Sequence, residues 1–171
     1  MRTLIPATLL VLVLVGQVVA LAWAAERLPA RVASHFNAAG VPDNWMSREA
    51  HLWLMAAFGV GLPLALAAMF YGVRYFPVSI VNLPHREYWL AEERRAETSA
   101  RIFQMGLWMA LFEAALALGT HIAVVYANLA QPVRLDMRVW LMLGLFLAAT
   151  AVWLWVYLRS FARLPPLAEK H

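Results

Sequence analysis

The residues able to do chemistry are few, and they sit in three places along an otherwise apolar chain. Residues 34–45 read SHFNAAGVPDNW and bring His35, Asn37, Asp43 and Asn44 together. An imidazole and a carboxylate this close in sequence can pair, exchange a proton or, with His51 and His121, offer nitrogen and oxygen ligands to zinc or copper. The spacing matches no metal-binding pattern, so neither a metal nor a cofactor is expected. Gln17, Glu113 and His121 lie inside long apolar runs, where polar groups act as interhelical hydrogen bonds or as steps in a proton or ion path. The third place is residues 82–98, where Asn82, Pro84, Tyr88, Trp89, Glu93, Arg94 and Arg95 mix interfacial aromatic and charged groups.

Catalysis has little to work with. There is no cysteine, which removes disulfides, thiolate metal sites and cysteine nucleophiles. No H-E-x-x-H, G-x-S-x-G or phosphate-loop pattern occurs, and the adjacent Ser34 and His35 do not make a nucleophile–base pair. The chain is therefore expected not to be an enzyme. Its net charge of +4 lies on no soluble basic module, so nucleic acid is not an expected partner.

The elements that must position these groups follow from the apolar runs. The chain has 171 residues, 63% hydrophobic and 14% charged, against roughly 45–50% and about 25% in soluble domains. Residues 3–25, 50–73 and 139–158 carry no charged residue, and residues 102–133 carry only Glu113. Each run approaches or exceeds the ~20 residues that a helix needs to cross a bilayer. The expectation is an all-α, polytopic membrane protein: one membrane domain over 1–171, four transmembrane helices near 4–25, 51–76, 102–127 and 139–158, and a structured extracytoplasmic loop, 26–50. A cytoplasmic segment spans 77–101. The first run, led by Arg2 and followed by Ala22-Trp23-Ala24, also resembles a cleavable leader, but is longer than the roughly 7–15 apolar residues of one.

Lysine and arginine set the direction. Arg2, Arg74, Arg86, Arg94, Arg95, Arg101, Arg159, Arg163 and Lys170 make nine of the fourteen; Arg27, Arg31, Arg48, Arg134 and Arg138 make the other five. The positive-inside rule then puts both termini in the cytoplasm and the 34–45 loop outside. Trp23, Trp45, Trp53, Tyr126 and Trp140 are placed to ring the outer interface, and Tyr71, Tyr75, Trp153, Trp155 and Tyr157 the inner one.

Small residues four apart mark helix contact faces: Gly16, Ala20 and Ala24; Gly106, Ala110 and Ala114; Gly144 and Ala148. The sequence GVGLP at 59–63 predicts a kink, since Pro63 lacks a backbone donor. A charge at mid-bilayer costs at least ~2.5–3.5 kcal/mol, so Glu113 needs burial, a proton or a partner. Counting outward from Leu4 and Ile102 puts Gln17 at roughly 20 Å and Glu113 at roughly 17 Å, which predicts a Gln17–Glu113 hydrogen bond. In the outer loop Asn37, Gly40, Pro42 and Asp43 are turn formers, and Ser47 is an expected N-cap for the second span. Asn82 with Pro84 reads as a helix start leading through a charged face into the third span.

These stretches resemble a known family. Leu28, Pro29, Val32, His35, Phe36, Asn37, Gly40, Pro42, Asp43 and Trp45 match the loop pattern of a bacterial membrane family, domain of unknown function 1648, which also forms part of SdpI-type immunity and signalling proteins. Ala33 stands where that pattern commonly has proline, and Met46 where it has glycine. Asn82, Pro84, Tyr88, Trp89, Leu90, Glu93, Arg94, Arg95 and Thr98 are similar to the cytoplasmic segment of relatives carrying the loop, again without a usual proline. The resemblance implies a bacterial inner-membrane protein acting in envelope sensing, immunity or partner binding. Its partners besides the lipid bilayer would be an extracytoplasmic peptide or envelope component, and a cytoplasmic protein or anionic lipid. His35, Phe36, Asn37, Gly40, Pro42, Asp43 and Trp45 would form the outer binding loop, with Phe36 and Trp45 as anchors. The alternative is a small proton- or ion-coupled transporter using Glu113.

Overall fold

The computed structural model describes residues 3–164; Arg2 and Lys170, both counted in the charge split, lie outside them. The order is α1 (Leu4–Arg27), β1 (Arg31–Phe36), β2 (Pro42–Ser47), α2 (Arg48–Ala56), a π-helical turn (Ala57–Gly61), α3 (Leu62–Gly72), a short α4 (Arg86–Trp89), α5 (Glu92–Leu129) and α6 (Arg138–Ala162). Four helical stretches, Leu4–Arg27, Arg48–Tyr75, Glu92–Leu129 and Arg138–Ala162, are long and apolar enough to cross a membrane.

The chain is mostly helical but not all-α. Residues 31–47 form an antiparallel two-stranded sheet in which Arg31 faces Ser47, Val32 faces Met46 and Ala33 faces Trp45. The register shifts between Ala33 and His35 and again before Phe36. Backbone groups in a connection this long need partners, and pairing the two halves of the loop supplies them. Val32 and Ala33 are fully buried, so β1 also closes one end of the helix bundle.

Helix α5 is the centre of the bundle, with α1, α3 and α6 all packed on it. Three apolar clusters are stacked along it. Ala24, Leu28, Val32, Val124 and Val125 meet under the hairpin; Leu10, Leu107, Ala110 and Ala114 fill the middle; Val81, Leu83, Leu90, Ile102 and Phe161 close the far end. The small-residue rows of α1 and α5 contribute to these contacts: Ala24, Ala110 and Ala114 are fully buried. At Gly106 a Cβ would run into the Phe70 side chain, so the missing side chain lets α3 approach. The α6 row does not pack inward. Gly144 has no neighbour within 4 Å of where its Cβ would be, and Ala148 is exposed. Large rings hold α6 instead: Trp153 Nε1 donates to Met105 O at 2.8 Å, and Trp153 stacks on Tyr157 with centroids 5.3 Å apart. An indole gives wide apolar contact and a directed donor together.

The GVGLP segment resolves as a π-helical turn. Leu62 N–H bonds to Ala57 O, five residues back, directly ahead of Pro63. The extra residue in the turn accommodates a ring that cannot donate and would crowd the preceding turn. At the far end the chain does not begin a helix at Asn82. His85 takes φ 52, α4 starts only at Arg86, and α5 begins at Glu92, ten residues before the apolar run at Ile102.

Candidate functional site

The 34–45 stretch is the hairpin itself, and its composition is largely a turn code. Asn37 Oδ1 accepts from Ala39 N at 3.0 Å and Val41 N at 3.1 Å, an Asx turn that reverses the chain. Gly40 has φ 76, a conformation that costs a residue with a Cβ about 1–2 kcal/mol. A Cβ there would also collide with Leu135 O, whose own N–H donates to Gly40 O at 2.9 Å. Arg134 reaches Ala39 O at 3.2 Å, so the α5–α6 connection grips the hairpin tip. Pro42 starts β2, where its fixed φ suits a strand's first residue. Phe36 packs against the cluster beneath the hairpin. Trp45 stays 38% exposed, with the Arg31 guanidinium 5.9 Å from its ring.

His35 and Asp43 serve neither the turn nor the packing beneath it. His35 Nδ1 and Asp43 Oδ1 lie 2.5 Å apart across the strands, and their side chains are 69% and 45% exposed. An exposed pair of this kind contributes little to stability. His35 and Asp43 do not join His51 and His121: among the described residues, no group of three or more His, Cys, Asp or Glu is arranged to hold a metal.

Asn128 has a role that its place in the sequence does not announce. This buried side chain near the end of α5 accepts from Ala33 N at 2.7 Å and donates to Ala33 O at 3.0 Å. Its second amide hydrogen goes to Val124 O at 2.9 Å. The amide thus stands in for a neighbouring strand and ties β1 to α5. Its only sequence signal was a lone amide in an apolar helix end. Ser47 does cap α2, accepting from Ala50 N at 3.1 Å.

At the opposite end the 82–98 residues bind helix ends together. Arg95 donates to Arg74 O and Phe76 O, carbonyls left without helical partners where the second apolar stretch stops. Arg94 donates to Tyr88 O at 2.8 Å, and its guanidinium lies 4.0 Å from the Tyr88 ring centroid. Trp89 Nε1 donates to Phe161 O at 2.9 Å, fastening α6. Asn82 and Glu93 are exposed, and Pro84 is half-buried. Asn82, His85, Arg86, Glu87 and Tyr88 line an open depression beside Leu164.

The polar residues within the apolar helices are arranged differently from the depth count. Gln17 does not meet Glu113. Its Nε2 donates to Met55 O at 3.1 Å and to His121 Nδ1 at 3.2 Å, 104 residues away in sequence. Leu4 and Ile102 at equal depth would put Gln17 level with Ala115, about six residues or roughly 9 Å short of His121 along α5. The backbones depart less than that from the count, since Leu10 still clusters with Leu107, Ala110 and Ala114 and Ala24 with Val124 and Val125; the long Gln17 and His121 side chains span the rest. His51 joins the pair, its ring 5.5 Å from that of His121 and edge-on. Gln17 and His121 are fully buried and His51 is 2% exposed. Gly59 of the π-helical turn makes room for them, since a Cβ there would stand 2.6 Å from the Gln17 amide. Gln17 Oε1, His51 Nε2, His121 Nε2 and, separately, Glu113 Oε2 are buried with no protein partner.

Residues 12–60 match the family model described as Domain of unknown function (DUF1648). That interval takes in the last two thirds of α1, the hairpin, α2 and most of the π-helical turn. It contains Gln17, His35, Asp43 and His51, but none of α5. No curated protein and no solved structure matches the chain.

Proposed function

We propose that the chain is a non-enzymatic multi-pass protein of the bacterial inner membrane, whose outer hairpin binds or senses an extracytoplasmic peptide or envelope component. Both termini are cytoplasmic in this reading, and the far end of the bundle docks a cytoplasmic protein or anionic lipid, as in an immunity or signalling role. The four apolar helices and the nine-to-five distribution of Lys and Arg support the placement. One observation carries the functional part: α5 is a single uninterrupted helix of 38 residues, about 57 Å long, with Asn128 holding the hairpin at one end and Arg94 and Arg95 tying the opposite helix ends at the other. A partner that tilts the hairpin therefore acts on a rigid rod. His35 and Asp43 are the residues that partner would read, because the hairpin's own turn and packing do not require them.

The test is photocrosslinking in native cells from a photoreactive residue at the exposed Ala39, with and without His35→Ala and Asp43→Ala. A partner captured by the intact loop and lost in both variants at unchanged abundance supports sensing. No capture, with equal loss of abundance in both variants, leaves an architectural cap.

The second reading is a proton- or ion-coupled transporter, favoured by the unpartnered Glu113 Oε2 deep in α5. It requires that Glu113→Gln keep abundance yet abolish a proton-coupled flux in reconstituted vesicles.

A further inference from the structure

Helix α6 leans on α5 at intervals rather than along its length. Trp153 fastens it to Met105 O, and Met142 lies against Gly119, where a Cβ would stand 3.0 Å from the Met142 Sδ. Around these points the helices stand apart. At the hairpin end Ala123, Tyr126, Arg134, Asp136 and Arg138 line a cleft of about 500 Å³. A second cleft, of about 260 Å³, shares Met142 with it and is walled by Phe112, Leu145 and Ala149. These last three also line an apolar cleft that runs on to Val156. The clefts thus form one lateral groove between α5 and α6, with charged residues only at its hairpin end.

The charges at that end suit a lipid headgroup. Arg138 directly precedes the charge-free run 139–158, so its guanidinium stands where the run leaves the hydrocarbon core. Asp136 lies 4.0 Å from Arg138 Nε, but both side chains are exposed, so the pair holds Arg138 only weakly. Arg134 gives one donor to Ala39 O and keeps others free. Two guanidiniums against one carboxylate leave the mouth positive. A phosphodiester supplies the missing negative charge and the planar oxygen pair that a guanidinium fork matches. A headgroup hydroxyl can donate to Asp136. The dimensions agree: Arg138 to Ala149 is a rise of about 17 Å, close to the half of a ~30 Å hydrocarbon core that one acyl chain fills.

We propose that the α5–α6 groove holds an anionic phospholipid with a glycerol headgroup, its phosphate paired with Arg134 and Arg138 and one acyl chain lying along Met142 and Leu145. The proposal rests on the four helices being membrane spans. It concerns the hairpin end of the bundle and is separate from the docking proposed at the far end.

The full chain is reconstituted in phosphatidylcholine liposomes whose leaflets are alike, so the test does not depend on sidedness. Trace phosphatidylglycerol or phosphatidylcholine, each with the same diazirine-bearing acyl chain, is photoactivated. Labelling at Phe112, Met142 and Leu145 is measured against that at Val11, Val15 and Val18 on the exposed face of α1. The groove-to-α1 ratio is expected to be at least about fivefold higher for phosphatidylglycerol, the order that one arginine contributes to binding an anionic lipid. Arg138→Gln lowers that preference by at least about half, and Arg138→Lys, which keeps the charge, retains most of it. Ala149→Phe, which narrows the groove away from the mouth, lowers groove labelling by both lipids. Equal ratios for the two lipids, a preference unchanged in Arg138→Gln, or groove labelling unchanged in Ala149→Phe overturns the proposal. A groove that neither lipid labels while α1 is labelled means that a second copy fills it, and overturns the proposal too. Absence of labelling on α1 as well overturns the membrane reading instead.

Discussion

Asn128 holds the peptide group of Ala33 from both sides, accepting from its N–H at 2.7 Å and donating to its carbonyl at 3.0 Å. Both groups are buried against α5, so nothing replaces the amide once it is removed. Asn128→Ala is expected to destabilise the protein by about 2–4 kcal/mol, the cost of leaving two or more buried polar groups unpaired. Asn128→Asp keeps the bond to Ala33 N but sets a carboxylate against the Ala33 and Val124 carbonyls, and should not rescue. Thermal unfolding in detergent, with limited proteolysis at the hairpin, reads both variants. An unchanged midpoint for Asn128→Ala means the hairpin is held elsewhere.

Gly40 carries two independent constraints, its φ of 76 and the closeness of Leu135 O. Asparagine tolerates the first but not the second. Gly40→Asn and Gly40→Ala should therefore both loosen the hairpin tip, seen as faster amide hydrogen exchange at Gly40, Val41 and Leu135. Were backbone conformation the sole constraint, Gly40→Asn would exchange like the wild type.

Gly59 and Gln17 should behave as a size-complementary pair. A Cβ at Gly59 stands 2.6 Å from the Gln17 amide, so Gly59→Ala is expected to lower stability by about 1–3 kcal/mol through overpacking. Adding Gln17→Ala relieves the collision, and the double variant should be more stable than the sum of the single effects by about 1 kcal/mol or more. Strict additivity in a thermal double-mutant cycle would show that the helices separate rather than clash.

The absence of native cysteine permits a clean test of sidedness. Ala38 in the hairpin turn and Ala96 near the start of α5 are both exposed. An impermeant maleimide on intact cells should label Ala38→Cys and spare Ala96→Cys until the cells are opened. The reverse pattern inverts the orientation.

The features legible in the residues alone are local. Four charge-poor runs had to become helices, because an apolar segment satisfies its own backbone most completely that way. The turn chemistry of Asn37, Gly40 and Pro42 and the Ser47 cap were equally legible, since each acts within four residues of itself. Strand pairing was not. β1 buries Val32 and Ala33 side by side rather than in alternation, Val32 in the apolar cluster under the hairpin and Ala33 against Asn128 of α5. Without a period of two, residues 31–36 carry no strand signal.

Which polar groups meet depends on how the helices pack. A helix sequence records spacing along its own axis but not its height against a neighbour, which packing sets. The fit of Gln17 beside Gly59 and the reach of its side chain bring it to His121 rather than Glu113. The same applies to the α6 row, where Gly144 and Ala148 had the spacing of a contact face while Trp153 and Trp89 made the contacts. Composition marks the faces a helix offers; the shapes of all its neighbours together select the one that is used.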